Sequence, residues 1–423
     1  MSKVFVRIYN GNLGDRMIWF ILLILAMVSA LAVYSTSGSL AYKHDSSALW
    51  YLMQHVVFIL LGFVLTYICA MMNYMKFSKI APVLLIIAGV LLVYTLFFGS
   101  TINDARRWIR IPIINVTFQT SDFAKLALVI YLARILTTKQ ETIKDFKSAF
   151  IPIIAPVGII CFLIAPVNLS TAMLLFLTCL SMMFVGRVKS KYMFGMIGIG
   201  ALLFGVLVLT WYFFPEHVRV GTWINRIQDF MGTGDGSFQN VQAKIAIANG
   251  GVFGVGAGDG GQIHFLPSAY ADFIYASICE EYGIIGAVLI MGLFVLFFVR
   301  VVKIVTNSPK AFGALLAMGL ALLVTIQALT NMAVSVNLLP VTGLTLPLVS
   351  KGGTSIFFTS IAMGMILSVS RFVDKSKNKP KQEDIDTTDN DLGFDASVSV
   401  TESTEPFEAV YVLDKKEAGK NTI

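Results

Sequence analysis

The chain has 423 residues, 56% of them hydrophobic and 13% charged, with a mean hydropathy of +0.77 and a formal charge of +7. So apolar a composition belongs to an integral membrane protein and excludes an ordinary soluble enzyme. The positive charges sit between apolar runs and not in one patch, which sets nucleic-acid binding aside in favour of membrane-flanking anchors.

A helix needs about 20 apolar residues to cross roughly 30 Å of hydrocarbon, because each backbone amide must be satisfied within its own segment. Ten candidate spans follow in chain order: 17–35, 51–72, 79–98, 121–137, 149–166, 168–186, 193–214, 271–300, 311–336 and 353–371. The fourth and fifth are the weakest. The predicted fold is therefore an all-α polytopic membrane protein of about ten transmembrane helices, with a large extracytoplasmic loop over about 215–270 between the seventh and eighth. The first span is long, lacks a small-x-small cleavage site and precedes further spans, so it reads as a retained signal anchor.

Basic residues at Arg7, Arg16, Lys76, Lys79, Arg134, Lys139, Arg187, Lys189, Arg300, Lys303 and Arg371 fall on alternate boundaries and predict cytoplasmic N- and C-termini. Residues 1–16 form the predicted cytoplasmic N-terminal segment and 17–371 the membrane domain. Beyond Arg371 the composition turns to Lys, Asp, Asn, Ser, Thr and Glu, predicting a disordered cytoplasmic tail over 372–423. The four cysteines lie in apolar runs without CxxC spacing and read as packing residues.

Three polar constellations interrupt this pattern. The outer loop carries Gln242, Gly250-Gly251 and a run from Gly254 to Gly261, and ends at His264-Phe-Leu-Pro267 before Asp272 opens the eighth span. Gly256, Gly258 and Gly261 satisfy GxGxxG literally, yet no βαβ setting surrounds them. Two readings stay open: a loop merely bent by glycine, or a backbone nest for a diphosphate. Asp272 likewise reads either as a residue satisfying N–H groups at a helix start or as a partly desolvated carboxylate suited to general-base work. Glu280 follows eight residues on, roughly 12 Å deeper on nearly the same face.

The second constellation joins Arg106-Arg107-Trp108 to Asp122 and Lys125 at the mouth of the fourth span. An outer cationic cluster breaks the charge trend and serves either as a headgroup anchor or as a diphosphate clamp. Spacing of three allows an Asp122–Lys125 ion pair. The third runs from Gln327 and Asn331 in the ninth span through Pro340, Thr342, Gly343, Pro347, Ser350 and Lys351 to Gly353. Its prolines and glycines predict a segment that bends back towards the membrane, with Ser350 and Thr354 either facing a polar pocket or capping a helix.

Together these blocks resemble the SEDS family (shape, elongation, division and sporulation) of the FtsW/RodA type. The resemblance runs from the first span to Arg371. It rests on Arg106-Arg107-Trp108-Ile109, Gln119-x-Ser121-Asp122-x-x-Lys125, Gly250-Gly251-x-x-Gly254-x-Gly256, Leu266-Pro267 with Asp272-Phe273-Ile274, Glu280-Glu281-x-Gly283, and Pro340-x-Thr342-Gly343 through Ser350-x-Gly352-Gly353. The compact stretch between Gly254 and Pro267 looks more like the division members, of FtsW type, than the elongation members.

The resemblance implies a glycosyltransferase that polymerises lipid II at the outer face of the bacterial inner membrane, at the division septum. Asp272 falls on the family's essential aspartate, as catalytic base. Arg106, Arg107, Lys125 or a divalent cation would meet the charge of the leaving diphosphate, with no other cofactor implied. Asp122, Gln242, Thr342, Ser350 and Lys351 complete the expected substrate-binding set. Implied partners are lipid II, a class B penicillin-binding protein, other divisome membrane proteins and membrane lipids, with no nucleic acid. Competing readings of the same residues are a lipid II flippase and a non-catalytic scaffold that recruits a transpeptidase. The chain departs from the family pattern at Ser268, Tyr270 and Ala271, where Glu, His and Thr are usual, at Asp122 for a longer acid, at Asn168 for Asp, and at Lys351 for Tyr.

Overall fold

The computed structural model describes residues 13–38, 47–102, 105–111, 116–141, 151–213, 220–232, 238–262, 265–266 and 269–377. Most of the predicted N-terminal segment, most of the predicted tail, and His264, Pro267 and Ser268 lie outside the described residues. Helices occupy each predicted span: α1 (Arg16–Thr36), α2 (Ala48–Met71), α3 (Met75–Phe98), α4 (Thr120–Thr138), α5 (Ile151–Ile164), α6 (Leu169–Val185), α7 (Ser190–Phe213), α10 (Ile274–Thr306), α11 (Ala311–Ser335) and α12 (Thr354–Lys377). Seven of them, α1, α2, α3, α7, α10, α11 and α12, are long and apolar enough to cross a membrane, while α5 and α6 are apolar but shorter.

Two features add to the predicted helical fold. A small antiparallel sheet, β1 (Ser100–Ile102), β2 (Ala105–Ile111) and β3 (Val116–Gln119), fills the connection between α3 and α4. The predicted loop over 215–270 contains α8 (Val220–Met231) and α9 (Phe238–Gly250). Strands this short carry little periodic signal, and two of the three are only three and four residues long.

Helix α10 is the largest revision. Its 33 residues would extend about 50 Å, well beyond the hydrocarbon thickness. Gly283, at φ 63° and ψ −161°, breaks it. Residues 274–281 before the break are all buried, whereas Ile284, Ile285, Val288 and Leu289 after it are each more than half exposed, as befits a lipid-facing stripe. Within the apolar helix Ile274–Thr306, the exposed stripe thus begins only after Gly283. Residues 274–282 are a protein-enclosed half-helix.

The glycine-rich run after α9 wraps this break. Val255 N–H donates to the Glu280 carbonyl at 3.0 Å and Gly256 N–H to the Glu281 carbonyl at 3.1 Å, while Ile284 N–H donates to Gly251 O at 3.0 Å. A Cβ on Gly254 would lie 2.0 Å from the Glu281 carbonyl oxygen, so only glycine permits the approach. The Glu280 carboxylate accepts from Gln262 N–H at 2.9 Å, and that of Glu281 from Gly258 N–H at 3.2 Å and from the Ser35 hydroxyl on α1. The loop thus turns one backbone N–H to each of the two glutamate side chains, Gly258 to Glu281 and Gln262 to Glu280.

At the bundle centre α12 lies against α2 through small residues: Gly62 and Gly364 leave no room for a Cβ, and Thr66 Oγ1 donates to the Ser360 carbonyl at 3.0 Å. Helix α4, the weak fourth span, is largely buried because its charges are satisfied inside. Lys125 Nζ lies 2.9 Å from Asp122 Oδ1 and donates to Gln327 Oε1 on α11 at 2.9 Å. Gln327 Nε2 donates onward to the Thr345 carbonyl at 3.0 Å. One end of the bundle gathers basic residues: Arg300 pairs with Asp15 at 2.6 Å, Arg134 donates to Ser78 O at 2.5 Å, and Arg371 to Met71 O at 2.9 Å.

Two outcomes follow for stability. Gly254→Ala should cost about 3 kcal/mol through overpacking and a strained φ, while Gly261→Ala, whose Cβ meets open space, should stay within about 0.5 kcal/mol, both read from thermal unfolding in detergent. Asp122→Asn leaves the Lys125 ammonium buried without its counter-charge and should cost on the order of 3–5 kcal/mol, with the double change to Asp122→Leu and Lys125→Met recovering much of the loss. Equal melting temperatures for the single variant and the parent would contradict the buried pair's role.

Candidate active site

Between Ser335 and Thr354 the backbone is not helical, with Asn337, Gly343, Leu348 and Gly353 at positive φ. Non-helical backbone among membrane helices survives only where protein satisfies it. Here Asn331 Nδ2 donates to the carbonyls of Leu344 at 2.7 Å and Asp272 at 2.8 Å. Ser350 Oγ accepts from Leu346 N–H at 2.8 Å and donates to the Ala271 carbonyl at 2.6 Å. Lys351 N–H donates to the Tyr270 carbonyl at 2.9 Å. Three successive carbonyls, 270 to 272, are thus pinned by α11 and the returning segment, which fixes where the Asp272 side chain emerges.

That side chain is not spent on capping. The N-cap of α10 is Phe273, which makes no side-chain cap, and no described hydrogen bond runs from a helix N–H to the Asp272 carboxylate. Burial pushes its carboxyl above the ordinary carboxylate range, against the downward pull of the guanidiniums of Arg107 and Arg226. Gly343 keeps the space beside it open: a Cβ there would stand 3.8 Å from Asp272 Oδ2. A partly buried carboxylate with raised pKa, within the electrostatic reach of two guanidiniums, can take a proton from a hydroxyl while those cations meet negative charge developing on a leaving group.

The predicted residues divide into groups. Arg107, on β2, reaches the carboxylate electrostatically. Arg106 lies beside it in the strand, paired with Thr101, but its side chain is outside the described residues. Asp122 and Lys125 form the buried pair with Gln327. Ser350 bridges two backbone groups and caps no helix, and Thr354 bonds Thr117 and Gln119 of β3 across to α12. The Lys351 ammonium sits 3.9 Å over the Tyr51 ring and 5.7 Å from that of Tyr270, and burial brings it down to about 8. Thr342 Oγ1 is buried without a hydrogen-bond partner among the described residues. Gln242 is partly exposed on α9, and no described contact joins it to Asp272.

Arg226 was not singled out by sequence reasoning. It sits on α8, donates to the Val341 carbonyl at 3.1 Å, and lines a cleft of 440 Å³ between α8, α9 and Val341. A signal existed: Trp223, Ile224, Ile227, Phe230 and Met231 recur at helical spacing, which marks 220–231 as an amphipathic helix in what otherwise reads as loop.

Residues 15–375 match the FtsW/RodA/SpoVE family, described as cell cycle proteins. The probable peptidoglycan glycosyltransferase FtsW of Geobacter sp. (strain M18) is 33% identical over 360 residues, spanning 84% of this chain and 96% of that protein. Stage V sporulation protein E of Bacillus subtilis (strain 168) is 32% identical, spanning 85% and 97%. Among solved structures the fold is similar to a chain of a peptidoglycan synthase complex (TM-score 0.63, 23% identity, 85% and 98% covered). It is similar also to the rod shape determining protein RodA of Thermus thermophilus (TM-score 0.58, 20% identity, 85% and 97% covered). With most of its length matched, and relatives above 30% identity across nearly their whole length, the chain belongs to the FtsW/RodA/SpoVE family, the SEDS family whose motifs it carries.

Proposed function

We propose that this multi-pass bacterial inner-membrane protein is a peptidoglycan glycosyltransferase that polymerises lipid II, with Asp272 as general base. The observation that carries the reading is the half-buried carboxylate of Asp272, which caps no helix and lies within the electrostatic reach of Arg107 and Arg226. The FtsW relatives, themselves named probable peptidoglycan glycosyltransferases, point to the same chemistry.

In this mechanism Asp272 accepts the proton of the acceptor hydroxyl as its oxygen bonds to the donor's anomeric carbon. The bond from that carbon to the diphosphate breaks, and the polyprenyl diphosphate departs with the electron pair, its charge met by Arg107 and Arg226. Displacement opposite an α-linked diphosphate yields a β-linked strand. One carboxylate beside two guanidiniums is not a divalent-cation cage, and among the described residues no three His, Cys, Asp or Glu side chains cluster as one. No step here runs through a metal.

The end of the bundle that gathers Arg134, Arg300 and Arg371 is the cytoplasmic one on the positive-inside rule, which puts Asp272, the sheet and the α8–α9 region outside with lipid II. A class B penicillin-binding protein is the natural partner for crosslinking the strands, in keeping with the synthase complex whose chain shares this fold. The FtsW relatives favour a septal role among divisome membrane proteins.

The protein in liposomes with lipid II tests the reading. Asp272→Asn should lower polymerisation by at least about 10²-fold with an unchanged melting temperature; retained activity would remove Asp272, and translocation of lipid II without polymerisation would favour a flippase instead. Because the carboxyl is raised, the ionised base is lost as pH falls through a value above the ordinary range of about 4. The acid limb of kcat/KM should therefore lie above that range, and a limb at or below 4 would contradict the buried base. Arg226→Ala should lower kcat by roughly 10²-fold.

A further inference from the structure

Apart from Arg226, the residues lining the cleft between α8 and α9 have no role assigned so far. We propose that it is a saccharide subsite that holds an N-acetylhexosamine unit of the glycan next to the reacting sugar. This rests on the polymerase reading and extends it to a part of the site no motif marks.

The lining has the chemistry of a neutral sugar. Asn225 from α8 with Gln239 and Asn240 from α9 offers amide donors and acceptors to ring hydroxyls and an acetamido group. Asp229 accepts from hydroxyls and repels a phosphate, so Arg226, the one cation among the described lining residues, does not make the cleft a diphosphate clamp. Phe238, 56% exposed, gives the apolar face of a pyranose a ring to lie on. At 440 Å³ the cleft falls within the size of small-ligand pockets, roughly 300–1,000 Å³.

Position ties the cleft to the base. Val341 lines it and its carbonyl receives Arg226, while Gly343, two residues further on, abuts Asp272 Oδ2. Two residues of extended chain cover at most ~7 Å. A sugar in the cleft therefore lies against the same short segment that borders the carboxylate, which directs the next unit of the strand towards Asp272. The same Arg226 that borders the sugar reaches the base electrostatically, so occupancy of the cleft and charge at the reaction centre share one side chain.

Saturation-transfer NMR of the full-length protein in detergent, with a soluble N-acetylglucosamine tetrasaccharide as probe, tests this. Transfer to acetamido and ring protons is expected for the parent protein. It should fall roughly fivefold to tenfold in Phe238→Ala and in the Asn225→Ala, Asn240→Ala double variant, and persist in Phe238→Tyr. With lipid II the two weakened variants should raise KM by a similar factor and change kcat less than about twofold. No transfer in the parent protein, or equal transfer in all variants, would overturn the subsite. Variant-sensitive binding by a protein that does not polymerise would leave the cleft standing and remove the polymerase reading. Polymerisation with variant-insensitive binding would do the reverse.

Discussion

Irregular backbone among membrane helices must find every hydrogen bond within the protein, and the segment between α11 and α12 is built around that demand. Gln327 and Asn331, one helical turn apart on α11, turn their amides to the carbonyls of Thr345 and Leu344. Asn331 divides its two N–H groups between that segment and the Asp272 carbonyl, so the same side chain that makes the bend tolerable also places the proposed base. Structure and site share their polar groups, and neither can be altered alone.

The buried Asp122–Lys125 pair belongs to this arrangement. Its ammonium holds Gln327 from the α4 side, which leaves the Gln327 amide free to face Thr345. A buried ion pair contributes little net stability against well-packed apolar residues, but it imposes a single geometry on the groups around it. Two charges in the weak fourth span thereby become a registration device for the core, while the cations at the carboxylate, Arg107 and Arg226, come from a strand and an outer helix.

Much of this was legible in the residue pattern. Every predicted span coincides with a helix because apolar length is what the bilayer selects. Position alone left Asp272 between a helix cap and a base, and the family resemblance singled it out; the Asp122–Lys125 pair was legible through its spacing of three. The break at Gly283 was hidden because apolar residues run on both sides of Glu280-Glu281, and hydropathy cannot tell a protein-enclosed half-helix from a lipid-facing one. Arg226 was hidden because its guanidinium meets Asp272 only through the fold, across 46 residues of sequence. The glycine run admitted two readings, and neither showed that the run packs against the backbone and side chains of Glu280 and Glu281.

The three pinned carbonyls bear on the departures from the family's usual residues. Every residue type carries the same carbonyl, so the grip of Asn331, Ser350 and Lys351 on 270 to 272 is blind to what hangs from positions 270 and 271. A lineage can exchange histidine for Tyr270 and threonine for Ala271 and keep the carboxyl where it stands. The freedom to diversify around an invariant geometry comes here from attaching the active segment by its main chain.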